Sequence, residues 1–203
     1  MNRTMQRKEV AKEAARLLYY GLATEYYAAK RMAAKQLGTR FLPSNKEIAL
    51  ELDNLAEFLE GEERTQRLIQ MRKTALQIMK TLNEYHPKLI GSVWRGIITR
   101  NSDIDIYIYT NNIEEAITKL KQARYNITGI ENVVRTAENT VKEYTHIFIK
   151  TKENFKIEII VRDPEEINLK EKCEIFGDII KGLTIEELEK ILKKDPTKKF
   201  IPP

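Results

Sequence analysis

The chain has 203 residues, 35 Lys+Arg against 30 Asp+Glu, and a single cysteine, Cys173. That length holds one large or two small domains with a real apolar core, which excludes a disordered or fibrous chain. One cysteine forms no internal disulfide and satisfies no multi-cysteine zinc pattern. With no apolar run long enough to span a bilayer and no signal-peptide core at the amino terminus, the sequence predicts a cytoplasmic protein without a membrane partner.

The charge is unevenly spread. The first forty residues carry nine basic and three acidic side chains, and residues 41–63 carry one lysine and seven acids. From about Gln6 to Tyr85 apolar residues recur at helical spacing, as in Val10, Ala14, Leu17 and Leu18, and again in Leu68, Met71, Ala75, Ile78, Met79 and Leu82. Breaks are predicted near Gly21, in "LGTRFLPSN" and at Gly61. Ser44 and Glu47 form a capping box, so a helix should open after Pro43. Past His86-Pro87 the pattern changes to short apolar runs of period two. Strands are predicted over 88–90, 103–109, 127–136, 144–151 and 155–162, with a helix over 113–124 and a hairpin turn at "TKENF". Thr184 and Glu187 form a second capping box, opening a last helix that ends before Asp195-Pro196. The expected architecture is α+β: an N-terminal helical bundle over residues 1–86, then a mixed-sheet domain over 87–203 with a C-terminal helical extension.

The chemistry concentrates in "GSVWRGIITRNSDIDIYIYT", residues 91–110. Strand alternation places Asp103, Asp105, Tyr107 and Tyr109 on one face and Ile104, Ile106 and Ile108 on the other. The two aspartates then lie about 7 Å apart at Cα, close enough for their carboxylates to converge on bound cations. Hard oxygen ligands of this kind suit Mg²⁺, which takes one or two carboxylates together with substrate phosphates. A lone D-x-D is more often the polar face of a half-exposed sheet. Two further features shift that weight. "KLIGS" is a strand running into a Gly-Ser turn, where glycine lets backbone approach a phosphate and the amides opening a following helix favour an anion. "FKIEIIV" is a strand that sets Glu158 with Lys156 and Ile160, opposite Ile157, Ile159 and Val161, and so supplies a third carboxylate.

In this order and spacing the residues resemble the nucleotidyltransferases of the DNA polymerase beta superfamily, especially its minimal members. Gly91-Ser92 is followed after ten residues by Asp103-Ile104-Asp105, and Glu158 stands on a later strand. Arg95-Gly96 and Asn101-Ser102 extend the likeness, which covers residues 88–162. The resemblance implies a polymerase-beta-like nucleotidyltransferase domain that moves a nucleoside monophosphate from an NTP to a hydroxyl acceptor and releases pyrophosphate. It implies two Mg²⁺ ions held by Asp103, Asp105 and Glu158, with Glu158 on the ion that activates the acceptor hydroxyl. Gly91 and Ser92 would cradle the triphosphate. Beside the resemblance, the planar fork of Arg95 reads equally as a nucleotide contact that neutralises triphosphate charge and as a solvent-facing arginine. Two metal ions about 3.5 to 4 Å apart can stabilise both the attacking and the leaving oxygen of an in-line displacement. Val93-Trp94 departs from the small or polar residues usual after Gly-Ser in the family.

Other residues carry a plain reading beside the functional one. Trp94 reads as packing more than as a base-stacking ring. His146 reads as a structural strand histidine, although it could approach Glu158. Arg100 reads as solvent-facing. Tyr19, Tyr20, Tyr26 and Tyr27 interleave with Arg16, Lys30, Arg31 and Lys35, the mixture seen where rings and cations meet nucleic acid, against helix–helix packing as the commoner use. The basic helices favour RNA, tRNA-like molecules included, as acceptor. A protein hydroxyl, as in antitoxin-type AMP transfer, or a small molecule keeps the chemistry with another acceptor, and a catalytically silent nucleotide-binding module is the reading outside enzymology. The helical half reads as a dimer interface, giving a homodimer, as an acceptor-binding arm or as a lid.

Overall fold

The computed structural model describes residues 2–137 and 140–203. Three helices open the chain: α1 (Arg3–Tyr19), α2 (Tyr26–Gln36) and α3 (Asn45–Thr81). α1 is capped by the Asn2 side chain, which accepts from Met5 N, and it stops before Gly21, whose φ of +69° no helix contains. Ser44 and Glu47 close the expected capping box at the start of α3. The break expected at Gly61 is a kink: Gly61 takes φ 50°, ψ −131°, and helix resumes on its far side. The kink also divides the packing. Ile48 before it joins Val10, Ala14, Leu17 and Ala33 in a helical core, whereas Leu68, Met71, Ala75, Ile78 and Met79 after it pack into the core of the sheet.

The sheet is mixed, in the order β1 (Lys88–Ile90), β2 (Ile104–Tyr109), β5 (Lys156–Arg162), β4 (Thr140–Lys150), β3 (Ile127–Ala137). β2 and β5 are parallel and the other pairs antiparallel. A short helix, α4 (Gly91–Arg95), follows β1, and α5 (Ile113–Gln122) follows β2. The α+β class read from the sequence is therefore the observed one. Ile104, Ile106, Ile108, Ile147, Ile149, Ile157 and Ile159 fill the core between the sheet and the second half of α3, with α5 and α6 (Ile185–Lys194) closing it. Burying a side chain of this size is worth roughly 1.5–3 kcal/mol each, so this face is where the β2–β5 pairing is held.

On the opposite face Ile90, Tyr107, Tyr109 and Ile160 are covered by Ile167 and Ile180 from the segment after β5. Arg162 fastens that cover: it lies over the Tyr107 ring and donates to Glu166 at 2.8 Å and Glu171 at 2.6 Å. The cover lies toward the carboxyl ends of β2 and β5, and the acid-bearing ends of the same strands lie at the other end of the face. The C-terminal extension is a loop, a 3₁₀ turn (Pro164–Asn168) and α6, opened by the Thr184–Glu187 box. Its tail returns to α4, where Phe200 N donates to Arg95 O at 2.9 Å. β4 starts at Thr140, four residues before the predicted strand. Among the described residues no helix is long and apolar enough to cross a membrane.

Candidate active site

Three adjacent strands build the site: β1 leads into the Gly-Ser turn, and β2 and β5 carry the acids. Ile90, just before the Gly-Ser turn, is the register partner of Asp105, and Asp105 is the parallel partner of Glu158. Neighbouring strands lie about 4.8 Å apart, so the turn, the second aspartate and the glutamate sit side by side, with Asp103 one pleat upstream. Both aspartates are half-buried. Gly91 has φ +69°, and a Cβ built on it would lie 1.9 Å from Asp105 Oδ2. The carboxyl group is thus packed directly onto the Gly91 backbone, and this position excludes a side chain on two grounds, conformation and space.

Electrostatics reinforce the geometry. Burial pushes the Asp105 carboxyl up to about 8, with the nearby Glu158 and Asp103 charges adding to it. Burial likewise raises Asp103, opposed by the Lys156 ammonium. Among the described residues neither aspartate carboxylate nor the Ser92 hydroxyl has a hydrogen-bond or ion-pair partner. Glu158 behaves differently: its Oε1 meets His146 Nδ1 at 2.5 Å, and the imidazole is 3% exposed. No three Asp, Glu, His or Cys side chains converge closely enough among the described residues to hold a metal ion, and Glu158 is turned onto His146. The aspartate pair fits a divalent cation: two hard, unpaired, mutually repelling carboxylates beside a glycine turn. Glu158 faces the pair from the next strand without joining it.

His146, read as a structural strand histidine that could approach Glu158, does contact it. The signal was present in the hairpin: the "TKENF" turn pairs Lys150 with Lys156, which sets Phe148 opposite Glu158 and His146 opposite Ile160 on the same face. Arg95 is not brought to the acids. Its guanidinium is buried, paired with Asp178 at 2.6 Å, donating to Phe200 O at 2.9 Å and sandwiched by the Trp94 and Phe176 rings. Its charge is already answered there, so the nucleotide contact expected of Arg95 is not carried further. Trp94 is 5% exposed against Phe200, which makes it a packing residue.

The aromatic and basic residues of the helical half separate. Tyr19 is buried, Arg16 pairs with Glu13, and Lys30 turns to Pro43 O and Asn45. Tyr20 stays half exposed, and Arg100, solvent-exposed as read from the sequence, lies over its ring.

A family model described as a domain of unknown function, DUF4269, matches residues 72–171. No curated protein matches the chain. Solved structures to which it is similar include a cytoplasmic RNA terminal U-transferase, at 14% identity over 61% of this chain and 36% of that one, TM-score 0.35. The Cid1 poly(U) polymerase is similar at 16% identity over 61% of this chain and 37% of that one, TM-score 0.34. Cid1 bound to the UTP analogue UMPNPP is similar at 17% identity over 56% and 38%, TM-score 0.34. The chain spans little more than a third of the length of these solved chains.

Proposed function

We propose that the protein is a divalent-metal-dependent nucleotidyltransferase that joins a nucleoside monophosphate from an NTP to a hydroxyl acceptor. The observation that supports this reading is the Asp105 carboxyl packed onto the Gly91 backbone, with Asp103 two residues upstream and both carboxylates unpaired. Asp103 and Asp105 would hold Mg²⁺, which when bound would supply charge stabilisation at the reacting phosphoryl group. Gly91 contributes close backbone approach and Ser92 a free hydroxyl toward the triphosphate. The acceptor oxygen forms a bond to the α-phosphorus as the bond to the pyrophosphate oxygen breaks, and the acceptor proton leaves on the side of Glu158. Glu158, once released from His146, would supply the third carboxylate of the set.

The test is incubation of the intact protein with Mg²⁺ and each α-labelled NTP, offered cellular RNA and a protein lysate, beside Asp103→Asn. Label on an acceptor that is lost in Asp103→Asn supports the reading. No transfer together with Mg²⁺-dependent NTP binding refutes it in favour of a silent nucleotide-binding module, the reading that the engagement of Glu158 with His146 favours.

A further inference from the structure

A cleft runs from the end of α1 to Asp103, the first of the two aspartates. Tyr20, Arg67, Arg100, Asp103, Phe155 and Lys156 are among the residues lining it, so the helical half supplies one wall, the β4–β5 turn the other, and the loop before β2 the floor. The parts are fastened together. Asn101 Nδ2 donates to Tyr19 O at 3.0 Å, and Arg100 N donates to Glu60 at 3.0 Å. The Arg100 guanidinium sits 4.8 Å from the Tyr19 ring centre and 5.6 Å from that of Tyr20, and the two rings meet edge to face. Tyr19 is buried beneath this stack while Tyr20 is 49% exposed. A second guanidinium, that of Arg67, is ion-paired with Glu60 and keeps its buried Nε without a partner. An exposed ring, the cations Arg100 and Lys156 on the walls and a path ending at Asp103 match a ligand that alternates planar bases with phosphates.

We propose that this cleft seats the acceptor, and that the acceptor is the end of a single-stranded nucleic acid, with a base stacked on Tyr20 and its phosphates met by Arg100 and Lys156. The assignment rests on the nucleotidyl-transfer reading for its place in the reaction, but binding can be read without transfer. It also gives the helical half its role, that of a wall of the acceptor site.

The experiment is fluorescence anisotropy of a labelled single-stranded RNA with the full chain and with Tyr20→Ala, Tyr20→Trp and Arg100→Ala, across a salt series. Wild type should bind, and Tyr20→Ala should weaken binding about tenfold while Tyr20→Trp retains it, as stacking requires. Arg100→Ala should weaken binding and reduce the salt slope by about one. Tyr20→Gln replaces Tyr20→Ala if the latter melts early. Absence of RNA binding by wild type, or binding indifferent to both positions, overturns the proposal. So does competitive displacement of the RNA by Mg–NTP, which would assign the cleft to the incoming nucleotide. Labelled nucleotide transferred to protein and not to RNA would also overturn it, giving the cleft to a polypeptide. Failure of the transferase reading shows itself separately, as no label on any acceptor while Tyr20-dependent RNA binding persists.

Discussion

Gly91→Ala perturbs the site by a single methyl group. The new Cβ would stand 1.9 Å from Asp105 Oδ2 and 2.9 Å from its Cγ, at a residue whose φ is +69°. Two costs arise. Holding alanine in the left-handed region costs about 1–2 kcal/mol, partly offset by the smaller conformational freedom of the unfolded alanine chain. The collision must be relieved by displacing a half-buried carboxyl, and forced overpacking of this kind costs roughly 1–3 kcal/mol. Gly38→Ala isolates the first cost, since Gly38 has φ +63° and nothing within 4 Å of its built Cβ. Urea unfolding of both variants should therefore show Gly91→Ala less stable than Gly38→Ala by about 1–3 kcal/mol. In Mn²⁺ titration calorimetry only Gly91→Ala should lose metal affinity, because only there does Asp105 move. Equal unfolding midpoints and an undiminished metal affinity would refute the contact between the carboxyl and the glycine backbone, and with it the geometry of the site.

Asp105 also sets a pH dependence. Its folded pKa, raised by burial to about 8, lies above its unfolded value, so the native state holds the proton longer. The metal-free protein should lose stability as pH rises from about 4 toward 8 and level off beyond, and Asp105→Asn should flatten that part of the melting profile. A wild-type profile that rises over this interval would contradict the burial of the group. His146→Phe removes the partner of Glu158; a hydrogen bond to a charged group is worth roughly 1.5–3 kcal/mol, so freeing the glutamate should tighten Mn²⁺ binding ~10-fold or more. A weaker Mn²⁺ affinity would show that His146 supports the metal-binding arrangement and does not compete with it. Arg95→Gln leaves Asp178 and the tail carbonyl of Phe200 without their cation, and should cost about 3 kcal/mol of stability, the low end for a broken buried pair because Asp178 is 30% exposed. A selective loss of NTP affinity with unchanged stability would return Arg95 to the nucleotide site.

Much of this arrangement was legible because it depends on short-range rules. Period-two alternation in "DIDIYIY" and "FKIEIIV" fixed which side chains share a face, and the capping boxes at Ser44 and Thr184 fixed two helix starts. What escaped depends on partners distant in sequence. Arg95 closes α4 and Arg100 follows five residues later, yet one is buried against Asp178 and the tail while the other lies exposed over Tyr19 and Tyr20. Nothing local distinguishes them. The early residues of β4 escaped for a different reason: Val141 is 67% exposed, so the strand there is held by its backbone ladder to β3 and shows no burial pattern. Gly61 was legible as a break, but whether the helix resumes depends on the packing of Leu68 and Met71 against the sheet.

The state of the three acids follows from the charge balance at the site. Three carboxylates on adjacent strands repel one another, and burial removes the water that would screen them. The protein answers at each position with what lies nearest. Lys156 steadies Asp103, protonation relieves Asp105, and Glu158 turns onto His146, whose other nitrogen is buried without a partner. A divalent cation between the aspartates would remove the reason for two of these responses at once, taking the place of the proton on Asp105 and drawing Glu158 away from the imidazole. Metal binding should then release a proton and free His146 in the same step. A titration with Mn²⁺ at neutral pH in two buffers of different ionisation enthalpy measures that proton directly. A heat signal independent of the buffer would mean that Asp105 is already ionised in the metal-free protein, and the burial argument for the site would fail with it.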